Sequence, residues 1–228
     1  NSEHIKSATV AGNNTTGGWA GNRMRPDLVL KFFPNNDAPN VAAYAMPAAA
    51  DDDRALFDGE GRNVSNGDDE KGVKVFTNGF SVCKFNNFKT DGSAGHNSLF
   101  PDADFFLMRA AEAYLMYAEA DARQNNGTTT AQGTAYINAL RTRANATTQT
   151  AYSLRQICDE WSREFYFEGL RRTTLIRFGY FGGNVNYNWS WKGGVKNGRN
   201  FDSHLNLFPI PTSDLVANEA NLIQNPGY

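Results

Sequence analysis

Apolar positions recur at helical spacing from Asp104 to Gly179, whereas on either side they come in short pieces broken by Gly, Asn, Asp and Pro. The pattern divides the chain into a loop- and hairpin-rich part (1–103), a helical core (104–179) and a loop-rich tail (180–228). In the first part, "VKVFTNGFSVCKF" alternates apolar and polar residues around Asn78-Gly79, with Val73, Val75, Phe80 and Val82 as the apolar set, and reads as a β-hairpin. The first core helix, "DFFLMRAAEAYLMYAEADARQ", is expected to start with Asp104 as N-cap and to stop at Asn126-Gly127. Its circumference is mostly apolar or alanine, which predicts packing on more than one side.

The second helix, "TAQGTAYINALRTRAN", turns Ala135, Ile137 or Asn138, and Leu140 inward and ends in Arg141 and Arg143, which suit a C-terminus. The third starts at "SLRQ", where Ser153 and Gln156 have capping-box spacing, and is expected to run unbroken to Gly179. The predicted buried set is Leu107, Ala111, Tyr114, Leu115, Ala118, Ile137, Leu140, Phe165 and Leu175. The first two helices form an antiparallel hairpin that resembles one tetratricopeptide-type unit. One such unit cannot bury its own face, so either the third helix and the loops cover it or further repeats precede Asn1, the reading preferred here. Past Gly179 only "PTSDLVAN" has the makings of a helical turn, capped by Thr212 or Ser213.

The charged stretch "EFYFEGLRRTTLIRFG" raises the question of catalysis. Glu164 and Glu168 are four apart and share one helix face, so they cannot straddle a glycosidic bond as a hydrolase requires. Arg163 stands three residues from Glu160, Arg171 and Arg172 stand three and four from Glu168, Arg177 follows in the same stretch, and Arg109, Glu112 and Glu119 are candidate partners across the helix interface. The expectation is a structural ion-pair network, with Glu168 paired to Arg171 or Arg172.

Charge narrows the function further. Lys+Arg 22 against Asp+Glu 24 gives a net charge of -2, without the basic surface that nucleic acid or an anionic membrane selects. His4, His96 and His204 are scattered, and Cys83 and Cys158 fit no metal motif, so neither metal nor cofactor is expected. Both thiols are read as free and buried, although their spacing does not decide whether they pair. "DGEGRNVSNGDDE" has the look of a calcium loop but puts Arg62 where a ligand belongs. "GGWAGNRMRP" lacks the ending of a phosphate loop. No run reaches the ~18–20 apolar residues of a membrane span.

Four motifs occur in order: "RAAEAYLMYAEA", "AYINALRTRA", "REFYFEGLRRTTLIRFG" and the ending "LFPIPTSDLVANEANLIQNPGY". Together they resemble the C-terminal part of the SusD/RagB family of Bacteroidetes, with weaker likeness upstream in "GGWAGNRMRPDLVLKF" and "RALF". The likeness runs from Trp19 to Tyr228 and is dense after Pro101. Thr174 departs from it, standing where the family commonly carries an acid. The resemblance implies a mainly α SusD-like fold: a tetratricopeptide-type hairpin plus a long helix, with extensive loops and small β-hairpins. It implies a binding protein, not an enzyme, on the extracellular face of the outer membrane. There it would hand glycans to a TonB-dependent SusC-like transporter, held by an N-terminal lipid anchor upstream of this chain. A peptide-capturing RagB-like protein is the alternative, and a hydrolase the third reading.

Ligand contact is expected in the loop "YNWSW", where Tyr187, Trp189 and Trp191 alternate and, in an extended segment, project from one face. Flat rings with a polar edge suit the apolar faces of pyranoses. The competing reading is that these rings plug the side of the helical scaffold.

Overall fold

The computed structural model describes residues 23–64, 78–101, 104–183, 185–218 and 221–228. The chain forms two compact units, Asn1–Glu168 and Gly169–Tyr228.

Three short strands, β1 (Arg23–Met24), β2 (Phe57–Asp58) and β3 (Phe80–Val82), make one antiparallel sheet in the order β1-β3-β2. The register pairs Met24 with Phe80 and Phe57 with Val82. Phe80–Val82 is thus a strand, as the alternation predicts, while Val73 and Val75 lie outside the described residues. Two short helices, α1 (Pro26–Val29) and α2 (Met46–Ala50), each carry Pro in the first turn, where the missing N–H costs nothing. Val29, Phe32, Met46, Phe57, Phe80 and Tyr166 meet in one buried cluster.

The helical core comprises α3 (Ala110–Gln124), α4 (Ala131–Arg143) and α5 (Leu154–Phe165). The first helix starts at Ala110, not at Asp104. Arg109 holds extended backbone (φ -131°, ψ 151°), which lets its guanidinium reach Glu164 and Glu168. Leu107 and Tyr114 are exposed, against expectation, and Ala135 is exposed as well. Ile137 and Leu140 face inward as predicted, and Gly133 and Thr134 complete the inner face of α4 in place of Ala135. Ala111, Leu115, Ala118, Phe165 and Leu175 are buried as predicted. Helices α3 and α4 run antiparallel. Thr130 donates its backbone N–H and its hydroxyl to Asp121 near the end of α3, and Tyr136 packs edge-on against Tyr114 and Tyr117, further back along that helix. The stop at Asn126-Gly127 uses positive φ at both residues. The capping box of α5 is complete: the Ser153 hydroxyl accepts from the Gln156 backbone, and the Gln156 side chain accepts from the Ser153 N–H.

The third helix does not run unbroken to Gly179. It ends at Phe165, and α6 (Arg171–Arg177) follows after a break with Phe167 at φ 60° and Gly169 at φ 81°. Tyr166 anchors the break, since its buried hydroxyl donates to the Arg54 carbonyl and accepts from the Leu56 N–H. In place of the expected pairing with Glu168, Arg171 donates to the Tyr187 hydroxyl and Arg172 to the Leu205 carbonyl. The Glu168 carboxylate takes two bonds from Arg109, each 2.8 Å, and one from the Lys84 ammonium.

The acids of α5 are gathered by cations from several elements. Glu160 accepts from Arg54, Arg141 and Arg163, and Glu164 from Arg54, Arg109 and Arg143. Asp52 holds Arg54 from the other side. Burial alone would raise the Glu160 carboxyl, but Arg163, Arg54 and Arg141 overcome it and hold the group down to about 2. Glu164 is also lowered, its burial outweighed by the hydrogen bonds and charges of its arginines. The predicted pair of Glu160 with Arg163 is present, and Glu119 pairs with Arg123 along its own helix. Arg62 bridges to Asp58, 3.6 Å away.

Candidate functional site

The aromatic loop lies in the second unit and is built on α6. Tyr180 donates its N–H to the Leu175 carbonyl, closing the helix, and the chain then runs through Phe181 to the segment holding Tyr187, Trp189 and Trp191. Tyr187 is buried. Its ring stacks on Tyr180 at 4.7 Å and 7°, and its hydroxyl accepts from Arg171 at 2.7 Å. Trp189 is half-buried beside Phe181 and Phe201, with ring centroids 6.1 and 6.3 Å away, and Phe181 meets Phe201 at 5.4 Å. Trp191, also half-buried, sits at φ 66° and opens a 3₁₀ turn over Lys192–Gly194.

The three rings therefore do not project from one face of an extended strand, because the left-handed residue at Trp191 ends the alternation. Asn186 and Asn188 are exposed, in keeping with the polar phase of the pattern.

Lys192 explains the bend. It is buried, its ammonium donates to the Tyr187 carbonyl at 2.9 Å, and it lies 4.6 Å from the Trp189 ring and 4.9 Å from that of Phe201. A cation between aromatic faces, holding the carbonyl five residues back, closes the loop without a carboxylate. Burial pushes the ammonium below the usual lysine range. Arg172 serves the same unit: it lies over Phe181 at 4.9 Å and Phe208 at 3.9 Å and donates to the Leu205 carbonyl.

Sequence reasoning assigned Arg171 and Arg172 to Glu168 and passed over Lys192, Phe181 and Phe201. The density of rings around "GYFGG" and "GRNF" was the available signal. The loop supplies rings with polar edges and exposed amides, a surface suited to stacking and hydrogen bonding. Among the described residues, no group of His, Cys, Asp and Glu could hold a metal ion. Cys83 is half-buried and Cys158 buried, and the two do not form a disulfide with each other.

The family model described as "SusD family" matches residues 52–228. The chain belongs to the SusD family. Across 94% of its length it is 39% identical to the starch-binding protein SusD of Bacteroides thetaiotaomicron, and it spans 43% of that relative's length. Among solved structures it is similar to a SusD superfamily protein from Bacteroides vulgatus, with a TM-score of 0.53, 23% identity, and coverage of 82% of this chain and 38% of that one. A laminarin-binding SusD-like protein gives a TM-score of 0.51 and 24% identity over 94% of this chain and 40% of that one. These structural likenesses establish the mainly helical SusD-like fold.

Proposed function

We propose that the chain is part of a surface glycan-binding protein that captures oligosaccharide and passes it to a TonB-dependent SusC-like transporter. Its place is the extracellular face of the outer membrane, on a lipid anchor belonging to the longer protein. The observation that carries this reading is the 39% identity, over 94% of the chain, to a protein whose name states that it binds starch.

The local chemistry supports binding without catalysis. Glu164 and Glu168, the acids a hydrolase reading would use, are themselves buried and each accepts bonds from arginine. Glu160 is held ionised by three arginines, so it is not poised as an acid at neutral pH. No helix among the described residues is long and apolar enough to cross a membrane. Trp189 and Trp191 are proposed as the rings that stack on sugar, with Tyr187 behind them setting the backbone of the loop.

The test is calorimetric titration of the full-length protein with a panel of oligosaccharides and a peptide pool, wild type against Trp189→Ala and Trp191→Ala. Circular dichroism reports the fold. Saccharide binding weakened at least about tenfold in a folded variant is the expected result. Binding of peptides alone would replace the proposal with peptide capture. Saccharide affinity unchanged in both folded variants would remove the loop from the site, and release of reducing ends would restore the hydrolase.

A further inference from the structure

The first unit contains a cavity of about 330 Å³, within the size range of small-molecule sites, about 300–1,000 Å³. All of its lining residues lie between Leu30 and Arg163 and none belongs to the aromatic loop. Its floor is the ion-pair network. Arg141 and Arg163 are fixed by Glu160, and both Asp52 oxygens are taken by Arg54. Arg163 and Asp52 thereby have every side-chain polar atom engaged, while Arg141 reaches from this floor to the rim.

The rim differs. Lys31 Nζ has Asp159 as its one side-chain partner among the described residues, at 2.7 Å. Arg141 directs Nε to the Thr147 carbonyl and Nη1 to Glu160, and its Nη2 has no partner among the described residues. Gln149 accepts from Gln156 through Oε1, leaving its amide Nε2 unbonded among the described residues. Asp51 receives the Thr147 hydroxyl on Oδ2, leaving Oδ1 unbonded among the described residues. Asp159 Oδ2 has, among the described residues, only the distant Arg155 Nε, 3.9 Å away. Three donors and two acceptors thus line one cavity with capacity to spare, and a scaffold pairing its own charges does not require such a rim.

The charge balance selects the ligand. The lining cations Lys31, Arg141 and Arg163 equal in number the lining anions Asp51, Asp52 and Asp159. An anion would be repelled by the carboxylates and a cation by the guanidiniums. A neutral group bearing neighbouring hydroxyls meets no such conflict, because each hydroxyl donates to one carboxylate oxygen and accepts from one N–H. Charged partners make these the stronger class of hydrogen bond. Since opposing charges already fix the rim cations, little side-chain entropy is lost on binding. We propose that this cavity is a second binding site, for a single neutral polyhydroxyl unit such as one sugar residue, held by Lys31, Arg141, Gln149, Asp51 and Asp159. The ligand class agrees with the glycan reading above, but the site stands on its own residues.

The test uses the full-length protein and four probes: the methyl glycosides of glucose, galactose, mannose and N-acetylglucosamine, titrated by saturation-transfer NMR and calorimetry. Asp51→Asn and Gln149→Ala alter the rim and leave the Glu160 and Arg54 pairs intact, and thermal melting verifies the fold. At least one methyl glycoside should bind, and each rim variant should weaken it about tenfold. Trp189→Ala and Trp191→Ala should leave it unchanged. If Asp51→Asn fails to fold, Gln149→Ala decides alone. The proposal is overturned by no binding of any of the four, by equal affinity in the folded rim variants, or by tighter binding of glycylglycine or inorganic phosphate at the same rim. Oligosaccharide binding that responds to the Trp variants, without binding of the methyl glycosides, removes this cavity and leaves the loop reading standing.

Discussion

Glu160 is fully buried yet ionised, because Arg54, Arg141 and Arg163 surround its carboxylate at 2.6–2.8 Å. Its folded value of about 2 lies below the ordinary 4.5, so the folded state binds its proton less readily than the unfolded chain. The resulting stability is complete above pH 4.5 and is lost as pH falls from there toward 2. A shift of this size corresponds to about 3 kcal/mol. Urea midpoints measured from pH 7 down to pH 2.5 should fall across that window in the wild type. Glu160→Gln should be destabilised by about 3–5 kcal/mol at pH 7, because three guanidiniums lose their shared charge, and should show a shallower decline in acid. Parallel pH curves for the two proteins would mean that Glu160 does not carry the linkage. Lys192 is the counterpart in the aromatic loop. Lys192→Met keeps the apolar stem but removes the ammonium that binds the Tyr187 carbonyl and faces Trp189. The expected cost is about 1–3 kcal/mol, together with a change in Trp189 emission read against a Trp189→Phe background. Unaltered emission and melting would show that the ammonium does not order the loop.

The break between α5 and α6 gives a test in which the sign alone decides. Gly169 lies at φ 81°, and a methyl group there would meet no atom within 4 Å. In a continuous helix Gly169→Ala would stabilise by about 1 kcal/mol. At this left-handed residue it should destabilise by about 1–2 kcal/mol through backbone strain, read as a lower urea midpoint with an unchanged slope. A stabilised variant would restore the unbroken helix. The case shows where the sequence was legible and where it was not. Local signals were readable: the Ser153–Gln156 capping box and the stop at Asn126-Gly127 depend on residues within a few positions of each other. The break was hidden because "EFYFEGLRR" satisfies helical spacing, and what interrupts it is the docking of Tyr166 on Arg54 and Leu56, over a hundred residues away. The same holds at Arg109, whose long-range partners displaced the helix start from Asp104 to Ala110. The aromatic loop was legible as a cluster of rings, but not in its shape, because the closure depends on buried Lys192, which composition marks only as one more surface charge.

For the chain as a whole, positive and negative charges nearly balance. The net charge is -2, and the densest ionic groups are paired beneath the surface, around Glu160, Glu164 and Glu168. The two proposed contact regions are built for a neutral ligand, one from rings and exposed amides, the other from equal numbers of lining cations and anions. Neither a long-range field nor displaced counterions should then contribute to capture, in contrast to proteins that bind polyanions, whose affinity falls steeply as salt rises. Short hydrogen bonds and ring stacking act within contact distance, below the Debye length of about 10 Å at 0.1 M salt, and are little screened. Affinity for a neutral oligosaccharide should consequently change less than about twofold between roughly 0.05 and 0.5 M sodium chloride. The measurement is calorimetry of the full-length protein at four or five salt concentrations, plotted as the logarithm of affinity against that of salt. A flat line is expected. A steep slope would mean that ions are released or taken up when the neutral saccharide binds, and would overturn the reading that capture acts only at contact distance.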